Sequence, residues 1–468
     1  MSKQLKPLWT GFEYKEHQVI GVNWMLSKES AGTGGLLCDD MGLGKTIQTA
    51  GLIKNGAKKV GEASLLIAPV AVLEQWKTVL KRSGISVYLP AASGFSWKQD
   101  GKNNNLLASK VHVIGYEAAL SKTALLKAYS WTRVIYDEVH RLASKNTSTS
   151  LAMILKASYF WLLTGTPIVN KVSDLTNLLD VARIERPKTM NMEVLAPTLK
   201  KYVLARSMDQ LRASIPDAPP TPVYKDIEMT FTTEEEREFY SGMTGIICRR
   251  WKALEADGGG ALERFRLFMR LRQLSLHPQI YIAARKAALK SLYTRADWTE
   301  SSTKFDMLKK LVCESEESHK WIVFCHFRHE MQMLEDMFRG ESKVDLVQQY
   351  HGGLNAKEKQ DVIDRTHMPL MEGKQEVILI QLQSGGVGLN LQHFDQIIFT
   401  GPWWTKALMD QAVGRAVRIG QKKVVSVYNL RLKEEETLNI DAFMFEKAGA
   451  KGDLCKKVLA GANNDIAL

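Results

Sequence analysis

Short apolar runs recur along the chain with segments of helical spacing between them, several of the runs bounded by glycine, proline or a carboxylate. Leu36-Leu37-Cys38, Ser64 to Ala68 before Pro69, Val111 to Tyr116, Val134 to Tyr136 before Asp137 and Glu138, and Tyr159 to Leu163 form a first series. Runs that are apolar at successive positions fit parallel strands buried on both faces. Phe12 to Leu26, Ile47 to Leu52 and Val72 to Trp76 carry apolar residues at helical spacing. Strand and helix in alternation predict a parallel sheet covered by helices on both sides. A second series, Trp321 to Cys325, Val377 to Ile380, Gln396 to Phe399 and Val424 to Tyr428, predicts a second lobe of the same kind.

Elsewhere the pattern changes. Gly94 to Asn105 is rich in Gly, Ser, Lys and Asn and reads as a surface loop. From Glu185 to about Thr303 the alternation is lost, and Ile215 to Pro222 forms a proline-rich connector unsuited to a helix interior or a central strand. Thr232 and Thr233 with Glu235 and Glu236 have capping-box spacing at the head of a helix. Leu262 to Leu276 is again helical, with Arg264, Arg266, Arg270 and Arg272 projecting either as a solvated face or as a DNA contact. The expected fold class is α/β, two parallel-sheet lobes with a helical insertion. Their bounds are residues 12–190 for the first lobe, 191–302 for the connector and helical protrusions, and 303–468 for the second lobe.

The stretch Asp39-Asp40-Met41-Gly42-Leu43-Gly44-Lys45-Thr46 lies between the first strand and the helix from Ile47. A glycine-rich turn opening into a helix aims backbone N–H groups and the helix dipole at an anion, so the stretch reads as a phosphate loop. Lys45 adds a point charge, and the Thr46 hydroxyl is placed to hold Mg²⁺. The general pattern G-x-x-x-x-G-K-[ST] has glycine where this chain has Asp39. Asp137 and Glu138 end an apolar strand, which puts two carboxylates at the ligand-binding edge of a parallel sheet. There Asp137 can orient Mg²⁺ through its water shell and Glu138 can polarise an attacking water. Gln18, near the start of the first helix, has the donor and acceptor needed to read an adenine edge, or is an exposed helix residue. Thr164-Gly165-Thr166-Pro167 supplies hydroxyls and a tight turn after a strand, suited to sensing a γ-phosphate. In the second half, Ser384-Gly385-Gly386 begins a glycine-rich turn whose amides can approach a phosphate. Arg415 and Arg418 are spaced to point from one face of a helix and to reach a γ-phosphate, as an arginine finger does.

Composition narrows the partners. The chain has 468 residues, long enough for two to four domains at roughly 100–200 residues each. Lys and Arg number 63 against 51 Asp and Glu, a formal charge of +12 that favours a polyanion such as nucleic acid. Cys38, Cys248, Cys313, Cys325 and Cys455 form no C-x-x-C pair, so no structural zinc or disulfide framework is expected. No apolar run approaches the roughly 18–20 residues of a membrane span, and the N-terminus lacks a signal-peptide pattern. The expectation is a soluble intracellular protein with no membrane partner.

The series D-D-M-G-L-G-K-T, D-E-x-H and L-T-G-T-P resembles the first lobe of superfamily-two helicases, and more narrowly the Swi/Snf family of DNA-dependent ATPases. The segment from His17 to Thr46 is most similar to the lodestar and transcription-termination branch and its RING-bearing repair relatives. Gln411 to Gln421, with the pattern Q-x-x-x-R-x-x-R-I-G-Q, is similar to the family's sixth motif. Val139 stands where Ala or Gly is usual, Gly401 where Asp is common and Thr405 where Asn is common. Leu271-Arg272-Gln273 and His277-Pro278 match a family segment after which the RING-bearing relatives carry a zinc module. Here the chain runs on to Trp298, so the RING is absent. The resemblance spans about residues 12 to 455 and implies two RecA-like lobes that bind ATP and Mg²⁺. It assigns catalysis to Lys45, Asp137, Glu138, Arg415 and Arg418. Nucleotide binding falls to Gln18, the whole loop from Asp39 to Thr46, and both arginines. Coupling or DNA contact falls to Pro69, Thr164, Gly165, Thr166, Ser384, Gly385, Gly386, Trp404 and Gln411. Glu434 to Leu438 and the final Lys-rich helix resemble a brace across the lobes. The implied activity is DNA-stimulated ATP hydrolysis coupled to translocation along double-stranded DNA. The motor would be recruited by another protein, in the nucleus or in a viral or bacterial DNA compartment. A strand-separating helicase and an ATP-gated DNA clamp with little turnover are the alternatives.

Overall fold

A computed structural model describes residues 4–56, 63–92, 96–101, 109–143, 147–168, 171–185, 192–258, 260–382 and 389–460. The chain forms two compact units, residues 1–218 with 418–420 and 450–468, and residues 219–417 with 421–449.

The first unit is built on an eight-stranded sheet. Its strands are β1 (Gly35–Leu37), β2 (Ala63–Ala68), β3 (Ser86–Pro90), β4 (Trp97–Gln99), β5 (Lys110–Gly115), β6 (Trp131–Asp137), β7 (Ala157–Leu163) and β8 (Val203–Leu204), in the order β4-β3-β5-β2-β6-β7-β1-β8. All pairings are parallel except β3 with β4, so the sheet is mixed and not purely parallel. The antiparallel β4 falls inside the stretch expected to be a surface loop. Its Trp97 supplies the reason, packing edge-on against His112 and Trp131. Alternate residues of the central strands, such as Leu65 and Ile67 on β2 and Val134 and Tyr136 on β6, join one buried cluster with the helix Val172–Val181. Val139 is wholly buried in that cluster, so its extra bulk is absorbed by the core.

The second unit carries a six-stranded, wholly parallel sheet. Its strands are β9 (Val223–Met229), β10 (Lys320–Cys325), β11 (Val344–Tyr350), β12 (Gln375–Gln381), β13 (Gln396–Phe399) and β14 (Ser426–Leu432), in the order β11-β12-β10-β13-β14-β9. The strand period sorts β10 between two cores: Ile322 and Phe324 enter one, Trp321, Val323 and Cys325 the other. Burial on both faces is what made these strands read as continuous apolar runs.

The stretch anticipated as connector and protrusions contributes β8 to the first sheet and β9 to the second. Helices Glu234–Ala256 and Ala261–Leu276 follow β9. Thr233 caps the first by accepting the Glu236 N–H at 3.2 Å, but Glu236 turns away and accepts from the Thr303 N–H and hydroxyl. Only half of the capping box is therefore made. Arg272 does not project: it is 3% exposed, its guanidinium lies 4.6 Å from the Trp403 ring and it contacts His326 Nδ1 at 2.8 Å. Burial lowers its pKa to about 10. Arg266 is exposed and Arg264 half-buried near Glu255. No helix among the described residues is long and apolar enough to cross a membrane.

Candidate functional site

Sheet register assembles the site in the first unit. Asp137, Leu163, Leu37 and Leu204 lie in one row at the carboxyl ends of β6, β7, β1 and β8. The residues after that row are Glu138, Thr164, Cys38-Asp39 and Ala205-Arg206, so segments far apart in the chain emerge side by side. This is where ligands bind in open parallel sheets.

The loop after β1 turns through Gly42 at φ +85° and Gly44 at φ +77°, a left-handed conformation that glycine adopts without penalty. Gly44 is the N-cap of the helix Lys45–Asn55 and puts no side chain on the helix's first N–H groups. That is the arrangement expected of an anion cradle. Lys45 Nζ donates to the Asp39 carbonyl at 2.6 Å and approaches the Asp40 carbonyl at 3.3 Å. Gly165 closes on the same place: a methyl added there would lie 3.5 Å from Met41 and 3.7 Å from Lys45 Nζ. Thr164 is wholly buried, and its hydroxyl accepts the Thr166 N–H at 3.1 Å, so it fixes the turn that carries Gly165.

Gln18 is buried, not an exposed helix residue; its helix runs Glu16–Ser30. Its Oε1 accepts the Lys15 N–H at 3.1 Å, and a side chain on Gly44 would meet its Nε2 at 2.7 Å. Gln18 therefore lies against the loop.

Asp137 and Glu138 leave β6 as the sequence suggests. Asp137 is buried; its Oδ1 accepts the Glu138 N–H at 2.9 Å and its Oδ2 accepts the Trp76 indole N–H at 2.7 Å. Burial, then the adjacent Glu138 carboxylate, raises its pKa to about 6, opposed by the Trp76 N–H and the nearby Lys45 charge. Glu138 has φ 49° and ψ 49°, a conformation that costs a non-glycine residue about 1–3 kcal/mol and collects at functional sites. Trp76 was not singled out in the sequence. It stands on the helix Val70–Arg82, whose N-cap is Pro69, and the only signal for it was an apolar position at helical spacing.

Asp39 and Asp40 do not offer their carboxylates to a ligand. Asp39 is wholly buried and paired with Arg206, and Asp40 Oδ2 accepts the Met208 N–H at 2.9 Å. Burial raises the Asp40 pKa, with the Met208 N–H and Lys45 opposing.

The helix Lys406–Val413, in the second unit, holds the buried Gln411 and ends at Gly414. Arg415 and Arg418 follow in a series of turns and are not on a helix face. Two bonds divert the chain there: the Arg415 N–H donates to the Ala412 carbonyl at 3.1 Å, and the Arg415 carbonyl accepts the Leu391 N–H at 3.0 Å. Arg415 is buried. Trp404 lies flat on Phe268 with ring centroids 4.3 Å apart. Ser384, Gly385 and Gly386 fall outside the described residues.

Two family models match the chain, the SNF2-related domain over residues 17–192 and the helicase conserved C-terminal domain over residues 303–420. Among curated relatives, "Chromodomain-helicase-DNA-binding protein 1-like" of Mus musculus is 26% identical over 97% of this chain and 51% of its own length. "SWI/SNF-related matrix-associated actin-dependent regulator of chromatin subfamily A member 1" of Homo sapiens is 26% identical over 90% of this chain and 41% of its own. The chain thus spans about half or less of these relatives. A solved structure, "Sulfolobus solfataricus SWI2/SNF2 ATPase core in complex with dsDNA", is 22% identical with a TM-score of 0.41, covering 98% of this chain and 99% of that one.

Proposed function

We propose that this chain, which carries an SNF2-related domain followed by a helicase conserved C-terminal domain and is homologous to SWI/SNF ATPases, is an ATP-dependent DNA translocase. The observation that carries this reading is the row of strand ends that brings the Gly42–Gly44 turn, Lys45, Gly165 and the Asp137–Glu138 pair together. A left-handed glycine turn at a helix N-terminus, with an ammonium beside it and a buried carboxylate pair across from it, suits a nucleoside triphosphate better than an uncharged ligand.

In this reading Lys45 leaves the Asp39 carbonyl to meet the phosphates, and the loop amides receive their remaining oxygens. Gln18 orients the base. Thr46 and Asp137 would hold a magnesium ion, which when bound supplies neutralisation of phosphate charge. The donor set fits such an ion, because Asp137 keeps a hard oxygen pair fixed by two N–H groups. Glu138 orients the attacking water, and Arg415 and Arg418 stabilise charge developing on the γ-phosphate. Gly165, held by Thr164 and Thr166, reports phosphate occupancy, while Pro69, Trp404, Gln411 and the Ser384–Gly386 turn serve contact with the track. Duplex DNA is that track, and translocation need not separate its strands. The finer placement, near the lodestar and transcription-termination branch, rests on the His17 to Thr46 segment. A recruiting protein and a DNA-containing compartment complete the proposal.

The test is a pair of variants. Lys45→Ala should abolish hydrolysis while leaving DNA binding, and Arg418→Ala should lower turnover with ATP still bound. Normal hydrolysis by Arg418→Ala would withdraw the role given to that segment.

A further inference from the structure

A carboxylate inside a phosphate loop opposes the anion the loop is meant to hold, yet Asp39 opens this loop where the general pattern has glycine. The structure shows what offsets it. Arg206, just beyond β8, meets Asp39 as a fork, Nε donating to Oδ1 at 2.9 Å and Nη2 to Oδ2 at 2.5 Å. Gln48 Nε2 donates to the same Oδ2 at 2.9 Å. Arg206 is itself tied down, Nη1 donating to the His17 carbonyl at 2.6 Å and Nη2 to Gln48 Oε1 at 3.0 Å. The side chains of Arg206 and Asp39 are 9% and 0% exposed.

The backbone follows the same seam. The Cys38 N–H donates to the Leu204 carbonyl at 2.6 Å, and the Asp40 N–H to the Arg206 carbonyl at 2.9 Å. With the Asp40–Met208 bond, residues 204–208 are zipped along residues 38–40. Lys45 Nζ rests on the carbonyl of Asp39, the residue whose carboxylate Arg206 holds. Loop charge, loop backbone and loop lysine therefore all pass through one contact.

We propose that Arg206 is a positioning residue of the nucleotide site: by neutralising Asp39 and fixing its backbone, it lets the loop present Lys45 and its amides to phosphate without an uncompensated carboxylate beneath them. The proposal rests on the nucleotide reading of this loop. A planar fork matched to a carboxylate is needed, so lysine replaces arginine only in part.

The test is equilibrium binding of a fluorescent N-methylanthraniloyl ATP to the full chain, with thermal unfolding beside it. Arg206→Ala should raise Kd about tenfold or more, because a buried carboxylate left without its counter-charge repels phosphate. Arg206→Lys should lie between, and it carries the test if Arg206→Ala does not fold. Arg206→Ala combined with Asp39→Asn should regain most of the lost affinity, because the carboxylate charge is gone. A purely structural ion pair predicts a lower Tm in the single variants with Kd unchanged. Wild-type binding with Kd unchanged in both single variants, or no recovery in the double variant, overturns the proposal. Absence of binding by the wild type overturns the nucleotide reading and the proposal with it.

Discussion

Trp76→Phe removes the indole N–H from the centre of the site, together with the pyrrole edge of a buried ring. The indole N–H donates to Asp137 Oδ2 at 2.7 Å from a side chain that is 1% exposed, and no solvent is at hand to replace it. Oδ1 keeps the Glu138 N–H, so the carboxylate loses the bond that fixes its rotation. A hydrogen bond to a buried charged group contributes about 1.5–3 kcal/mol. If that bond is made at full strength only in the transition state, turnover falls roughly 10- to 150-fold at 1.36 kcal/mol per decade. The assay is kcat for DNA-stimulated ATP hydrolysis at saturating ATP, with Tm measured in parallel. Trp131→Phe is the control, because its indole N–H donates to the Leu126 carbonyl in the same core, away from the carboxylates. It should lower Tm and spare kcat. A Trp76→Phe protein that folds and turns over within twofold of wild type would refute the assignment of Asp137 as an oriented catalytic carboxylate.

Other expectations follow from burial and charge. Asp441→Ala leaves Lys304, 1% exposed and 2.6 Å from Asp441, as an unpaired buried cation; urea unfolding should show a loss of about 3–5 kcal/mol, and a loss below about 1 kcal/mol would contradict it. Burial lowers His112, His277 and His393 to about 4, below the unfolded value of 6.5. The unfolded chain therefore binds more protons between those values, so the stability each neutral ring contributes is present above 6.5 and lost as pH falls towards 4. Urea midpoints at pH 7.5 and 5 should fall in that order, and a rise at pH 5 would reverse the sign. Binding to duplex DNA should weaken steeply with salt, by about 10³ between 50 and 200 mM if some six phosphates are contacted; a Kd unchanged over that range would exclude a phosphate-dominated track.

What the sequence discloses is what is local. Strands such as Trp321 to Cys325 are buried on both faces and show as unbroken apolar runs, and the Asp39 to Thr46 loop carries its chemistry in eight successive residues. Strands at the margins escape notice because they lack that signature. β9 is an edge strand with most side chains exposed, β8 is only two residues long, and β4 lies in polar company. Arg415 and Arg418 have helical spacing, but the bonds around Gly414 end the helix first, so spacing alone misplaces them. Trp76 and Arg206 were invisible for another reason: their partners Asp137 and Asp39 are 61 and 167 residues away, and only the sheet register brings them together.

Steady-state ATP hydrolysis tests the central claim most directly, measured without nucleic acid and with single-stranded DNA, duplex DNA and duplex RNA, beside Lys45→Ala. The account predicts strong stimulation by duplex DNA and no hydrolysis by the variant under any condition. Preference for single strands would favour a strand-separating helicase. Wild-type hydrolysis no greater than that of Lys45→Ala, with duplex DNA bound, would contradict a DNA-driven ATPase and leave an ATP-gated clamp in its place.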